Sequence, residues 1–235
     1  MPPLLAMDTV TEGCSVALWT GERMISRFEE PGRGHALRIL PMVDEVLTEA
    51  GLTLRELAGI AVGVGPGAFT GVRISVSVAQ GLAFGAGLRL IPVTSLEALA
   101  QQAFEWRPVP GAVPAAVLAC LDARMGELYW GWFRIDPARG VAALGELRVG
   151  KPDELLLDAA AAIGAAAIGR GMRILNVRRP WPERCDENAL PRAEHMVTLA
   201  AMRLARSEGV DPAGIVPVYL RDKVALTEAE RAAVK

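Results

Sequence analysis

The chain has 235 residues, of which 51% are hydrophobic and 22% are charged, so it can bury a core and is not disordered as a whole. Its 25 basic and 27 acidic residues give a net charge of −2, which argues against a protein that binds nucleic acid alone through a broad basic face. Three widely separated cysteines and two histidines argue against a disulfide framework and a thiolate zinc site.

Short apolar runs separated by turn residues predict alternating strands and helices in the first half of the chain. The strands are predicted at residues 4–7, 14–19, 24–28, 60–64 and 89–92, and the helices at 35–50, 69–84 and 95–104, the last capped by Ser95. Pro41 lies inside the first helix, and we expect it to kink the helix or to delay its start. The apolar face of that helix is predicted to comprise Leu37, Leu40, Val43 and Leu47.

A proline-rich segment, residues 107–114, predicts the boundary between a domain of residues 1–106 and a domain of residues 107–235. In the second domain, strands are predicted at 115–121, 127–135, 141–149, 165–168 and 216–220, a helix beginning at 151, a loop at 178–188 and a helix at 191–207. Because the two halves repeat a similar order of elements, we predict an α/β fold of two duplicated domains facing each other across a cleft. We leave open whether the C-terminal segment packs back on the first domain.

Two segments of the first half could bind a phosphate or a nucleotide. Asp8, Thr9 and Thr11 lie where the first strand turns into the second, and a carboxylate with hydroxyls there can hold a phosphate or its magnesium ion. The alternative is a turn that closes a hairpin. Glycines between a strand and a helix offer free amides to anions. The candidate nucleotide contacts of this kind are Gly65, Gly67, Gly169 and Gly171.

The glycine segment is a weak match to known phosphate loops, because no lysine follows it and Pro66 removes one amide. The helix after it has a sharper feature: small residues recur every four positions, and apolar Ile74 and Val78 lie beside them. The small residues are Gly67, Gly71, Ser75 and Ala79. Such a bare face permits close approach of another helix, either from a partner or from this chain itself.

Metal and catalytic motifs are not apparent. His35 and His195 have no second histidine at ligand spacing, and no nucleophile elbow of the form GxSxG occurs. The longest uncharged run, residues 57–72, is too short and too rich in glycine for a membrane span. The first eight residues lack the basic region of a signal peptide, so we expect a cytoplasmic protein without membrane association.

Six segments of the chain resemble the TsaB (YeaZ) family. They are residues 5–9, 14–18, 63–73, 79–84, 123–127 and 217–222. The resemblance implies the actin-like ATPase (sugar kinase/Hsp70/actin) fold in two small domains. It also implies partnership with TsaD and the ATPase TsaE. That complex transfers the threonylcarbamoyl group from threonylcarbamoyl-AMP to the adenosine 3′ of the anticodon in tRNAs that read codons beginning with adenine.

The same resemblance implies that this chain is an inactive relative of TsaD. Ser95 and Leu99 stand where TsaD carries two metal-binding histidines, and Asp122–Met125 lacks the glycines of the TsaD phosphate hairpin. We therefore expect no cofactor in this chain, with ATP and a metal used by partner subunits, and tRNA bound only through the complex. The alternative is an ATP-binding actin-like or sugar-kinase-like enzyme.

Helices of the first domain pair with TsaD or with a second copy in this family, so we expect the isolated chain to form a homodimer. The predicted partner interface comprises Leu37, Leu40, Leu47, Gly67, Gly71, Arg73, Ile74, Ser75, Val78 and Ala79. Large side chains introduced at Ser75 or Ala79 are expected to block the contact.

Overall fold

The computed structural model describes residues 1–105, 116–136, 138–155, 164–178 and 184–221. The strands are β1 Leu4–Asp8, β2 Cys14–Trp19, β3 Met24–Glu29, β4 Ile60–Gly63, β5 Leu90–Val93, β6 Val117–Arg124, β7 Glu127–Asp136, β8 Gly140–Ala143, β9 Arg148–Gly150, β10 Ala166–Ile168 and β11 Arg184–Asp186. The α-helices are α1 His35–Ala50, α2 Phe69–Ala86, α3 Ser95–Glu105, α4 Met172–Arg178 and α5 Ala193–Ala205.

Each half of the chain contributes one mixed sheet, and the two sheets have the same topology. The first has the order β3-β2-β1-β4-β5, with an antiparallel meander on one side of β1 and two parallel strands on the other. The second has the order β11-β10-β6-β7-β8, with β9 also paired to β7. The strand β6 therefore occupies the place of β1, which confirms the predicted duplication.

The helices join the two halves through one shared core. The α3 helix belongs to the first half but packs on β6, while α5 belongs to the second half and packs on β1 and β2. Buried side chains of both helices, including Leu99 and Met196, meet residues of both sheets. On the other face of the first sheet, α1 and α2 cover a second core. These contacts leave a cleft between the halves, beside the start of α1 and α2.

The C-terminal segment returns to the first half after α5. Val210 exchanges backbone hydrogen bonds with Leu90, and the Val218 N–H donates to the Val64 carbonyl at 2.7 Å. Since it makes isolated hydrogen bonds with the sheet and no regular pairing, the predicted strand at 216–220 is wrong. The predicted domain boundary falls within residues 106–115, outside the described residues.

Other predictions need correction. The α1 helix begins at His35, so Pro41 does not delay its start; Pro41 is exposed, where water can replace the missing amide hydrogen bond. The residue that caps α3 is Thr94, whose hydroxyl accepts from the Glu97 N–H while its own N–H donates to the Glu97 carboxylate. Ser95 is instead the first helical residue.

Two segments of the second half also differ from prediction, and a third is described only in part. The single strand expected at 141–149 is two short strands, β8 and β9, that pair with different parts of β7. The expected loop at 178–188 contains β11, which pairs with β10 and is an edge strand of the sheet as far as the described residues show. Of the helix expected from Lys151, the described residues show a 3₁₀ turn at Pro152–Glu154, and residues 156–163 lie outside the described part of the chain.

Candidate functional site

The first candidate site is the cleft between the two halves, a cavity of about 470 Å³. The β1–β2 turn, the first residues of α1 and α2, and the β6–β7 hairpin line it. Of the predicted nucleotide contacts, Thr9, Thr11 and Gly67 line the cleft, as does Gly71. Asp8, Gly65, Gly169 and Gly171 are not among the described residues that line it.

Asp8 is buried inside the first half rather than exposed to the cleft, with 1% of its surface accessible. Its Oδ1 accepts a hydrogen bond from the Val10 N–H at 3.0 Å, while Oδ2 lies against Gly63 and has no hydrogen-bond partner in the described part of the chain. Burial raises the pKa of Asp8 from 3.8 to about 7, because the carboxylate has lost its hydration. The hydrogen bond from the Val10 N–H is that of a turn, which is the alternative to a phosphate or magnesium site at Asp8.

Gly67 and Gly71 permit the β1–β2 turn to approach the start of α2 closely. The Thr9 hydroxyl donates to the Gly71 carbonyl at 2.8 Å, which ties the β1–β2 turn to α2. A Cβ at Gly71 would lie less than 3.0 Å from the Thr9 carbonyl oxygen, and one at Gly67 would also lie less than 3.0 Å from the Val10 carbonyl oxygen. The turn therefore packs directly on the start of α2, where the Ala68 N–H donates to the Val10 carbonyl at 2.8 Å.

Gly169 and Gly171 have a similar structural role in the second half. A Cβ on either residue would lie within 3.0 Å of Cys120 on β6. Gly169 also has a φ of 107°, which other residues rarely adopt. Gly65 has a φ of 103° and lies against the Val218 carbonyl of the C-terminal segment. These glycines permit close backbone packing.

Ion pairs cross the cleft between the halves. Arg124 of the β6–β7 hairpin lies 2.8 Å from Glu12, and Arg170 lies 2.7 Å from Glu30. Both arginines thus have carboxylate partners, which reduces the positive charge available to an anionic ligand. In the described residues, no group of three or more histidine, cysteine or acidic side chains is placed to hold a metal ion. Nor is any described helix long and apolar enough to cross a membrane.

The second candidate site is the outer face of α1 and α2. Gly71, Ser75 and Ala79 are buried against this chain, which corrects the expectation that their stripe is open to a partner helix. Leu47 is also buried, together with Ile39, Met42, Val43 and Val46. The predicted apolar face of α1 is therefore divided: Val43 and Leu47 point inward, whereas Leu37 and Leu40 are exposed.

A second stripe of small residues, missed in the sequence, faces outward on α2. It consists of Ser77, Gly81 and Gly85, all exposed. A Cβ added at Gly81 or Gly85 would meet nothing within 4 Å. This stripe is offset from the buried one by two residues, about 200° around a helix with 3.6 residues per turn. The four-residue spacing of Ser77, Gly81 and Gly85 is the sequence signal from which this outer stripe could have been predicted.

Exposed apolar side chains and a groove lie on the same two helices as this outer stripe. Leu37 is 80% exposed and Phe84 is 84% exposed, while Ile74 and Val78 are half-buried beside the stripe. Arg73 is exposed one turn before Ser77. Toward the ends of α1 and α2, a groove of about 760 Å³ is lined by Asp44, Leu47, Thr48, residues 51–55, Gly81, Leu82, Gly85 and Ala86. We call this combined surface the α1–α2 face.

Comparison with known proteins gives concordant matches. The family model described as "TsaD: tRNA N6-adenosine threonylcarbamoyltransferase" matches residues 29–163. The TsaB proteins of Escherichia coli and Haemophilus influenzae are 39% and 37% identical, and each match covers 94% of this chain; the matches cover 96% and 94% of those proteins. Both are named tRNA threonylcarbamoyladenosine biosynthesis proteins.

Solved structures from Pseudomonas aeruginosa are also similar to this chain. YeaZ is 41% identical with a TM-score of 0.82, and an uncharacterized protein with similarity to peptidase YEAZ is 42% identical with a TM-score of 0.85. Each match covers 94% of this chain and 100% of the solved chain. Together with the duplicated sheets and the TsaD-type family match, these likenesses confirm the predicted actin-like ATPase fold.

Proposed function

Because this chain belongs to the TsaB (YeaZ) family, we propose that it acts in tRNA threonylcarbamoyladenosine biosynthesis as a non-catalytic subunit that binds TsaD and TsaE. In this proposal the complex, rather than this chain, transfers the threonylcarbamoyl group from threonylcarbamoyl-AMP to the tRNA adenosine. ATP and a metal are used by the partner subunits, and tRNA reaches this chain only through the complex.

The α1–α2 face is the observation that carries the proposal. Exposed large apolar side chains grouped on two neighbouring helices are typical of a protein interaction site. The Leu37 and Phe84 side chains are now largely exposed. Burial of either side chain would stabilise a complex by about 1.5–3 kcal/mol before the costs of association. The small side chains of Ser77, Gly81 and Gly85 permit a partner helix to approach within the usual distance of about 8–10 Å between axes.

The cleft supports the non-catalytic part of the proposal. The Asp8 carboxyl is buried, and the β1–β2 turn packs directly on α2 at Gly67 and Gly71. At the places where TsaD is expected to carry metal-binding histidines, Ser95 is buried and Leu99 belongs to the shared core. Together these two side chains are not a suitable ligand set for a divalent metal.

A matched pair of tryptophan variants tests the interface. Gly81→Trp places a bulky side chain on the α1–α2 face, and Gly145→Trp places one on an exposed loop of the second half; a Cβ at either glycine meets nothing within 4 Å. Gly81 is preferred to Ala79, because Ala79 is buried and a tryptophan there would disrupt the fold. Equal melting temperatures would verify that both variants fold.

Binding of each variant to TsaD is then measured by isothermal titration calorimetry and by size exclusion with light scattering. We expect Gly145→Trp to bind like the unsubstituted chain and Gly81→Trp to bind about tenfold to 100-fold more weakly, since overpacking costs about 1–3 kcal/mol. Equal affinity of the two variants would contradict an interface on this face.

The 470 Å³ cleft favours one alternative, namely that the chain binds a nucleotide by itself. Arg33 and the first residues of α1 and α2 line this cleft, and helix N-termini attract phosphates. Our proposal predicts no heat of binding when ATP and Mg²⁺ are added to the isolated chain. Tight binding that is lost in Arg33→Ala would favour the alternative.

A further inference from the structure

We propose that residues 210–221, which we call the strap, tie the first half of the chain to the β6–β7 hairpin and hold the cleft between the halves at one width. Arg221 makes the attachment to the hairpin. The inference goes beyond the proposed function, because it concerns the motion of the two halves and requires no partner.

The strap is attached to the first half from its first residue. Val210 exchanges backbone hydrogen bonds with Leu90 on β5. The Gln80 side chain of α2 donates to the Pro212 carbonyl at 2.9 Å, and Ile215 is buried in the core that α1 and α2 cover. These contacts fix the beginning of the strap to both β5 and α2.

The middle of the strap packs on the loop between β4 and α2. The Val218 N–H donates to the Val64 carbonyl at 2.7 Å. A Cβ at Gly65, whose φ is 103°, would lie less than 3.0 Å from the Val218 carbonyl oxygen, so this approach requires glycine. The next residue, Tyr219, accepts a hydrogen bond from Arg73 Nε at 3.3 Å. The strap is therefore still bound to the first half immediately before it reaches the second.

Arg221 connects the strap to both strands of the hairpin. One Nη group donates to the Ala123 carbonyl on β6 at 3.0 Å and to the Glu127 carboxylate on β7. The Arg221 side chain is 20% exposed and that of Glu127 is 31% exposed, so water screens this pair less than it screens a fully exposed pair. Because Ala123 also lines the cleft, the attachment lies at the cleft rim.

The other ion pairs across the cleft are weaker attachments. Arg124, at the tip of the same hairpin, lies 2.8 Å from Glu12, but its side chain is 70% exposed. Arg170 pairs with Glu30, which is exposed. Exposed pairs contribute little, because water screens the charges and two long side chains lose conformational freedom. By this comparison the strap is the main attachment between the hairpin and the first half.

The position of the strap determines what it restrains. The helices α3 and α5 join the halves through the shared core, so a change in cleft width is a rotation of one half about that core. The strap lies at the rim, between the start of α2 and the hairpin. An anchored segment of fixed length keeps these two sides of the cleft at a constant separation while Arg221 stays attached.

Distances between two spin labels in the full chain test this inference. Cysteines that replace Ala36 on α1 and Glu146 on the second half carry the labels, because both positions are exposed. Cys185 is half-buried and is replaced with serine, whereas Cys14 and Cys120 are buried and stay unlabelled. We expect one narrow distance distribution when the strap is intact.

Three variants identify the contact that sets this distance. Arg221→Ala and Glu127→Ala should broaden the distribution equally, and the double variant no further, because both remove one shared contact. The matched control Arg124→Ala removes an exposed arginine from the same hairpin and should leave the distribution narrow. Melting temperatures verify folding, and Glu127→Gln, which keeps an acceptor without the charge, should have a smaller effect of the same kind.

Hydrogen exchange gives a second readout on the unlabelled chain. In Arg221→Ala the amides of the β6–β7 hairpin should exchange about tenfold faster, as expected for the loss of a hydrogen bond to a charged group. A broad distribution with the strap intact would overturn the inference. So would unchanged distances and exchange in Arg221→Ala. Equal broadening by Arg124→Ala would also overturn it, because the hairpin tip would then set the cleft width.

Discussion

Replacing Asp8 with asparagine should remove the loss of stability that this carboxyl group causes between pH 4 and pH 8. Burial raises the pKa of Asp8 from 3.8 to about 7, so the folded chain retains this proton more tightly than the unfolded chain. The contribution of the neutral carboxyl group to stability is therefore complete below pH 3.8, and it is lost as the pH rises through 7. An asparagine side chain carries no charge at any of these pH values.

The size of the effect follows from the pKa difference. Each unit is worth about 1.36 kcal/mol, so a rise from 3.8 to about 7 corresponds to about 4 kcal/mol between pH 4 and pH 8. The asparagine side chain of the variant would retain an oxygen for the Val10 N–H, but its NH₂ group would lie against Gly63 without an acceptor, at a cost of about 1–3 kcal/mol. Above pH 7 we therefore expect a net stabilisation of about 1–3 kcal/mol.

Urea unfolding followed by circular dichroism from pH 4.5 to pH 8 measures the pH dependence of stability and the net stabilisation of the variant above pH 7. The matched control is Asp44→Asn, which changes an exposed carboxylate of α1 and should leave the slope of the pH profile unchanged. If Asp8→Asn has the same slope as the unsubstituted chain, burial does not control this carboxyl group, and the account of the β1–β2 turn is refuted.

Two further predictions concern α2 and α1. Gly71→Ala should lower the free energy of unfolding by about 1–3 kcal/mol, because its methyl group would lie less than 3.0 Å from the Thr9 carbonyl. Gly81→Ala should raise the free energy of unfolding by up to about 1 kcal/mol, because its methyl group meets nothing within 4 Å and alanine favours a helix more than glycine does. Equal effects in urea unfolding would contradict the assignment of the two faces. The Arg38 guanidinium holds the pKa of Glu29 below its usual value, so Arg38→Gln should raise that pKa. Carboxyl NMR titration measures the change, and an unchanged pKa of Glu29 would contradict its pairing with Arg38.

The sequence predicts the elements with clear local boundaries best. The bounds of β2 and α1 are predicted to the residue, because Gly13, Gly21 and Gly51 interrupt the chain at their ends. The left-handed φ of 67° at Gly51 is the local geometry that ends α1. The repetition of the strand order also predicts two duplicated sheets, although it does not determine which strands pair.

The orientation of α2 could not be predicted, because this helix has small residues on two opposite faces. Only its contact with the β1–β2 turn, distant in sequence, determines that Gly71 and Ser75 are buried while Ser77 and Gly81 are exposed. Likewise, the carboxyl group of Asp8 is buried through its contact with Gly63 on the neighbouring strand β4. Such non-local contacts cannot be inferred from spacing along the chain.

The most direct test of the scaffold account is the rate of threonylcarbamoyladenosine formation by TsaD and TsaE in the presence of each variant of this chain. Arg33→Ala alters the cleft, and Gly81→Trp alters the α1–α2 face. Our account predicts that Arg33→Ala sustains the full rate, whereas Gly81→Trp reduces it about tenfold or more at limiting concentrations. A lost rate with Arg33→Ala and a normal rate with Gly81→Trp would contradict the account.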